Sequence, residues 1–403
     1  MKLMRALFIS VVLVSVLLFV GSNSGYAKEV RGVTKNTIKI GAIADMTGPI
    51  ANVELTWIEA IRNYYLYIND NGGINGRKVK VIADDTRYSI PIALAIFKKQ
   101  VYRDKVLSII GTGMSGGDIA LIPQIQKEKM PVIALALTKI LADPLKRYIF
   151  PLTPSYEDGA KILFDYIMKN KGGKEPRIAF VYPDNDYGKD NLAGVLRSAE
   201  FYDTKLVDKE VLSFNAIDAA TQVMGLKKAG ADHVVFVGGV GSSTSLLKAA
   251  RMYKFSPKFF GIQSACNEDI IKMAKVGAKK YHGVHCFSSW YEDEPGMAEV
   301  RKITLTYKPG TEKPFRTKEY SRAWVFAVIL AEGMKRAGKD LNNETLVDAL
   351  ETIKNFSMGG ISGPINLSST NHRGGKYSRV YKSDVEKGIF YAVTDWEKAN
   401  FGE

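Results

Sequence analysis

Apolar positions along this chain recur with two periods that take turns. Short runs of β-branched and aliphatic residues, the pattern of buried strands, alternate with longer segments whose apolar residues return every three or four positions, the pattern of helices. "TIKIGAIAD" predicts a strand and "VELTWIEAIRNYYLYIN" a helix that stops at the glycines of "DNGGING". "RKVKVIADD" and "SIPIALAIFKKQVYRD" repeat the pair, then "VLSIIGT" with "DIALIPQIQKEK", and "PVIALALT" as a fourth strand. The series then starts again. "RIAFVYPDNDYG" reads as a strand followed by an acidic, tyrosine-bearing turn, "NLAGVLRSAEFYD" as a helix and "KLVDKEVLS" as a strand. "DAATQVMGLKKAG", "HVVFVGGVGSS", "TSLLKAARMYKF" and "KFFGIQSA" complete the second set. Glycine turns, "IIGTGMSGG" and "FVGGVGSS", fall at matching places in the two halves.

Such alternation predicts an α/β fold with two Rossmann-like lobes, each around a parallel sheet, and a cleft between them. The tail predicts no third domain. "EYSRAWVFAVILAEGMKRAG" is a helix closed by Gly338, and "NNETLVDALETI" a helix opened by an Asn/Glu capping box. "SGPINL", "HRGGKYSRVYKS" and "GIFYAVTDW" read as antiparallel strands, with "YHGVHCFSSW" crossing between lobes. The expected division is 28–153 with 288–358 for the first lobe and 154–287 with 359–403 for the second, joined by a hinge of several crossings.

The amino terminus stands apart from this pattern. Lys2 and Arg5 precede the apolar run "ALFISVVLVSVLLFV" and the small, polar stretch "GSNSGYA". This is a secretory leader, expected to be cut after Ala27. The run is shorter than the ~20 residues of a membrane span, and no cysteine follows it to carry a lipid. The expectation is a protein exported to the periplasm.

Charge adds little. Lys and Arg exceed Asp and Glu by 56 − 42 = +14, and loss of Lys2 and Arg5 leaves +12. The basic residues are dispersed, so a solvated surface near an anionic envelope is expected rather than nucleic-acid binding. Cys266 and Cys286 could form a disulfide in an exported protein, a pairing that spacing leaves open. His282 and His285 in "HGVHC" suggest zinc, but in a strand they point to opposite faces, and no metal site is expected.

Gly111-Thr112-Gly113-Met114-Ser115-Gly116 is a G-x-G-x-x-G. A dinucleotide fingerprint follows the first strand of its unit and has an acid about 20 positions on. This one follows the third strand, and the next strand ends Leu137-Thr138-Lys139. No cofactor is expected. His233 reads as a strand-end histidine, and Asp184 and Asp186 as members of a solvated turn, so a dehydrogenase has neither base nor cofactor acid. What survives is physical: glycines let backbone amides approach a ligand, and a helix N-terminus favours an anion. Ser115 and Thr138 fall at the carboxyl ends of strands, where open α/β sheets bind ligands.

"TIKIGAIADMTGPIA", "INDNGGINGRKVKVIADD", "GTGMSGG" and "VYPDNDYGKDNL", in order along the mature chain, resemble the periplasmic leucine/isoleucine/valine-binding protein family. The resemblance implies a type I periplasmic binding protein fold and a non-catalytic receptor of an ABC importer. It would carry a small carboxylate, such as a branched-chain or other hydrophobic amino acid, to a membrane permease. It also implies roles: Ser115 and Thr138 would hold the carboxylate, aided by the backbone of Met114, Gly116, Ala136 and Leu137. Tyr187 would close over the ligand from the second lobe. The sequence departs from the family where a glutamate would pair an ammonium, a place that falls on Gln263 with Ser264 beside it. An aromatic expected after the second glycine turn falls near Val240 or Gly241, and a tyrosine expected after "TGP" near Val53. Glu268 or Asp269 could replace the glutamate if the alignment slips. A buried ammonium without a partner costs several kcal/mol, so a carboxylate lacking an α-amine is the alternative ligand. A receptor of the same fold that signals to a membrane partner is the alternative role.

Overall fold

A computed structural model describes residues 30–308 and 316–402. The expected leader and its cleavage point at Ala27 lie outside the described residues. Two sheets carry the described residues. The first is parallel throughout and ordered β2-β1-β3-β4-β5, from β1 (Thr37–Ala44), β2 (Lys78–Asp85), β3 (Ser108–Ile110), β4 (Val132–Ala134) and β5 (Ile149–Pro151). Its central strands are apolar on both faces, as a sheet covered by helices requires. Among the covering helices are α1 (Ala51–Asp70), α2 (Ile90–Lys98) and α3 (Ser115–Glu128).

The chain then crosses to a second sheet through the helix α4 (Tyr156–Lys169), whose Ser155 and Asp158 form a capping box. This sheet contains β6 (Ile178–Tyr182), β7 (Asp208–Val211), β8 (His233–Phe236), β9 (Lys258–Ile262) and β10 (Tyr281–His285), all parallel. β11 (Tyr377–Asp384) and β12 (Ile389–Ala392) extend it antiparallel, with β13 (Glu397–Lys398) on β11. Its helices are α5 (Asp186–Phe201), α6 (Ala220–Lys228), α7 (Val240–Met252) and α8 (Glu268–Ala274).

After β10 the chain returns to the first sheet's side with α9 (Pro295–Tyr307), α10 (Lys318–Ala337) and α11 (Asn343–Glu351). α10 lies along α1: the Tyr65 hydroxyl donates to the Ala327 carbonyl at 3.1 Å, and Asn63 Nδ2 donates to the Tyr320 hydroxyl at 3.0 Å. A third passage, after α11, leads back to β11. Three crossings therefore connect the sheets.

Several details differ from the sequence expectations. β5 was not anticipated, because "YIFP" is too short to show a period. "SGPINL" forms no ladder: only Ile365 pairs, with Phe356, next to Pro364, which has no N–H to give. The α11 capping box closes through Thr345 rather than Glu344, whose carboxylate instead meets Tyr148, Arg147 and Lys129. Tyr187 sits in the first turn of α5 and not in a loop, since the Asn185 side chain accepts from the Gly188 amide and starts the helix early. Both cysteines are buried and free, so the open question of a bridge resolves against one. Among the described residues no group of side chains could hold a metal, and no helix is long and apolar enough to cross a membrane.

Candidate functional site

The carboxyl ends of both sheets face each other across a cavity of about 40 Å³. Its walls come from both sides: Ile50, Val53, Trp57, Tyr88, Gly113, Ser115, Leu135 and Arg322 from the first, Tyr156, Tyr187, Phe214, Gly238, Gly239, Val240 and Ser264 from the second. That volume holds water but no solute of amino-acid size, so occupation requires the sides to part. A larger hollow of about 730 Å³ lies at the amino ends of β8–β10, among Lys258, Lys280, Lys382 and His282. It draws on one sheet only and offers nothing to close over a ligand.

Local sequence explains how each wall is built. Gly113 has φ +66, and a Cβ there would lie 2.1 Å from Glu54 Oε1 and 2.5 Å from the Trp57 ring. Only glycine permits this turn, which packs α1 against the start of α3. Asp118 holds the loop from beneath: its carboxylate accepts from the Thr112 amide at 2.9 Å and the Ala136 amide at 3.0 Å. Ser115 is the first residue of α3, and its hydroxyl lies 3.3 Å from that of Tyr156 across the cleft. The Ser115, Gly116 and Gly117 amides precede any partner within the helix, and the helix dipole favours an anion beside them.

Aromatic rings fill much of the remaining wall. Tyr88 has φ +57 after Arg87 at +51, a strained pair held by Asp85 and Thr86 through their side chains. That loop places the Tyr88 ring 5.8 Å from Phe214 of the opposite side. Tyr187 meets Tyr156 edge-on at 5.2 Å and Phe214 at 5.9 Å. Burial pushes the Tyr156 hydroxyl up to about 12 and raises Tyr187 well above its ordinary value, so both remain proton donors. The Tyr187 hydroxyl is buried beside Ser264 without a well-formed hydrogen bond.

Among the described residues one charged side chain reaches the wall. Arg322 on α10 is 3% exposed, and its Nη1 donates to Glu319 Oε2 at 3.2 Å while Nη2 donates to the Leu135 carbonyl. Glu319 also accepts from Trp57 Nε1 at 2.9 Å and lies 3.5 Å from His285 Nε2. Burial alone would raise the Glu319 carboxyl, but Arg322, His285 and Trp57 outweigh it and hold it at about 2. Glu54 lies behind Gly113; burial keeps its carboxyl well above the usual range, although the Asp45 amide donates to it.

The residues singled out from the sequence separate into two groups. Ser115, Tyr187 and Val240 share the cavity wall. Met114 caps α3 and Gly116 faces Asp186, where an added Cβ would lie 2.5 Å from a carboxylate oxygen. The Ala136 amide is engaged by Asp118, and Leu137 packs with Tyr156 and Tyr187 in the second core. Thr138 begins the short turn Lys139–Leu141 and sits beside Asp190 of α5, outside the wall. Gln263 is buried with φ +50, its Oε1 accepting from Cys286 Sγ at 3.6 Å, so it turns away and Ser264 takes the wall position. Glu268 cannot face a ligand amine, because it is enclosed with Lys318 Nζ at 2.6 Å. Asp269, one step further on α8, is also absent from the wall.

Sequence reasoning missed Trp57, Tyr88, Tyr156, Phe214 and Arg322. Trp57 and Arg322 carry only a helical period, and nothing local marks which face meets the cleft. The Arg87–Tyr88 pair after an acidic strand end is a turn signal that could have drawn attention to Tyr88.

Comparison with known proteins fits this geometry. Residues 37–388 match a family model described as periplasmic binding protein. The chain is 25% identical over 381 residues to a Leu/Ile/Val-binding protein of Citrobacter freundii, covering 93% of each. Leu/Ile/Val-binding protein homolog 7 of Brucella suis is 24% identical over 231 residues, and the match spans 57% of its length. Among solved structures, a branched-chain amino acid ABC transporter protein from Thermus thermophilus with bound valine superposes with TM-score 0.85 at 22% identity, over 92% of this chain and 98% of that one. A fatty acid ABC transporter substrate-binding protein from Thermomonospora curvata gives 0.82 at 22% identity, over 93% and 95%. At such identities the two structures establish the type I fold. With the family match covering most of its length, the chain belongs to the periplasmic binding protein family.

Proposed function

We propose that this chain is an extracytoplasmic receptor of an ABC importer, exported to the periplasm by a leader cut after Ala27. Its lobes, 28–153 with 288–358 and 154–287 with 359–403, close over a small carboxylate, such as a branched-chain or other hydrophobic amino acid. The closed form is the one presented to a membrane permease. The observation that carries this reading is a cavity at the strand tips whose walls come from both sheets. A solute there stabilises closure because it touches both lobes only when they meet. Ser115 and the first amides of α3 suit its carboxylate, and Tyr187 and Val240 lie opposite.

A second reading, a carboxylate without an α-amine, is favoured by one observation: among the described residues the wall contains Arg322 but no Asp or Glu. The names of the relatives span both chemistries, one structural neighbour holding valine and another serving fatty acids. Small-angle scattering tests the receptor reading common to both. A saturating carboxylate should reduce the radius of gyration relative to the free protein, and tight binding with an unchanged radius would refute lobe closure.

A further inference from the structure

We infer that Arg322 is the anion anchor of the cleft and that its ligand is an aromatic monocarboxylate without an ammonium group. The inference rests on the receptor reading and goes further by assigning the charged subsite and the body of the ligand. Arg322 is clamped on one side, to Glu319 and to the Leu135 carbonyl, while its buried Nε has no acceptor. Glu319 is itself braced by Trp57 and His285, and the guanidinium stacks 5.1 Å from the Trp57 ring centre. A guanidinium has five N–H donors. Two are used here, and the group lies on the cavity wall with donors to spare.

An orphaned N–H in a dry site is costly. A ligand carboxylate would satisfy it and could at the same time reach the Ser115 hydroxyl on the same wall. Among the described residues no carboxylate lines the cavity to receive an ammonium. Among the described residues the nearby carboxyls are absent from the wall: Asp118 accepts from Thr112 and Ala136, Glu268 is enclosed with Lys318, and Glu319 gives Oε2 to Arg322 and Trp57 while its buried Oε1, without a hydrogen bond, has His285 Nε2 at 3.5 Å. Glu54 has one oxygen without a partner, but Glu54 is absent from the cavity wall, and burial favours its neutral form. Opposite Arg322, Tyr187 meets Tyr156 and Phe214 edge-on, and Tyr88 of the first side lies tilted against Phe214, an aromatic lining that suits a ring better than a branched alkyl chain.

Calorimetry on the full chain with three matched probes tests this: 3-phenylpropanoate, phenylalanine, which adds the ammonium, and 3-phenylpropanamide, which removes the charge. The acid should bind ~100-fold more tightly than either of the others, the scale of an unpaired buried charge. Arg322→Gln should remove that advantage while leaving the amide's affinity within about threefold, and Arg322→Lys should restore part of it. Glu54→Gln should leave the order of the three probes unchanged. Should Arg322→Gln fold poorly, the double variant Arg322→Gln/Glu319→Gln removes the pair without leaving a buried charge, and the wild-type comparison needs no variant. Phenylalanine binding as tightly as the acid, with compaction, overturns the Arg322 assignment and leaves the receptor standing, and loss of phenylalanine binding in Glu54→Gln would then identify the acid responsible. Failure of all three probes, with leucine or 4-methylpentanoate binding and compacting the protein, overturns the aromatic assignment and leaves the receptor standing; failure of those aliphatic solutes as well overturns the receptor reading.

Discussion

The first turns of α10 carry two buried ion pairs with opposite characters. Lys318 pairs with Glu268 at 2.6 Å, and both are essentially sealed from water. Glu268 accepts in addition from Ser289 Oγ at 2.8 Å and from the Lys318 amide at 3.1 Å, while Lys318 Nζ rests 4.3 Å over Tyr381 and 4.4 Å over Phe390. These contacts draw together α8, α10 and the strands β11 and β12, where the chain crosses between sheets. In the pair formed by Arg322 with Glu319, Arg322 lines the cleft, and both its Nε and Glu319 Oε1 lack a hydrogen bond. A saturated pair fixes the fold, and an unsaturated one in a cavity wall is prepared to receive something.

The largest effect should come from breaking the saturated pair. Lys318→Met leaves Glu268 charged and enclosed, which costs about 3–5 kcal/mol, read as a lower urea midpoint. Replacing both residues, Lys318→Met with Glu268→Leu, should recover most of that loss. Recovery would show that the single variant suffers from an orphaned charge rather than from lost packing.

Acid should reveal the other pair. Glu319 is held at about 2 in the fold against 4.5 for an ordinary glutamate. Between those values the unfolded chain binds the extra proton, so stability is present above pH 4.5 and is lost as pH falls toward 2, by about 3 kcal/mol. Denaturant titrations at stepped pH should show this slope, and Glu319→Gln should flatten it. Arg322→Gln should have the smallest cost, about 1–3 kcal/mol, because Trp57 and His285 still hold Glu319. Its acid dependence should also weaken, since Arg322 is the strongest of the influences that lower Glu319. A cost as large as that of Lys318→Met would erase the distinction between the two pairs.

How far the sequence could reveal these features follows from the range of the forces involved. The alternating periods and the glycine turns are local, so the two sheets and the place of Ser115 at a strand tip were legible. Tyr187 was legible through its motif, though its helical setting depended on the Asn185 cap. Arg322 and Trp57 were not, because 265 positions of chain separate them and only the packing of α10 on α1 brings them together. Gln263 shows the converse. The resemblance sets it at the pairing position, but a left-handed backbone at φ +50 turns its side chain toward Cys286 and gives the wall to Ser264.

A crystal structure grown with 3-phenylpropanoate tests the central claim most directly. The account predicts the carboxylate within hydrogen-bonding distance of Arg322 and Ser115, with the ring between Tyr88, Tyr187 and Phe214. Ligand bound outside the space between the sheets, or inverted with its ring against Arg322, would contradict it.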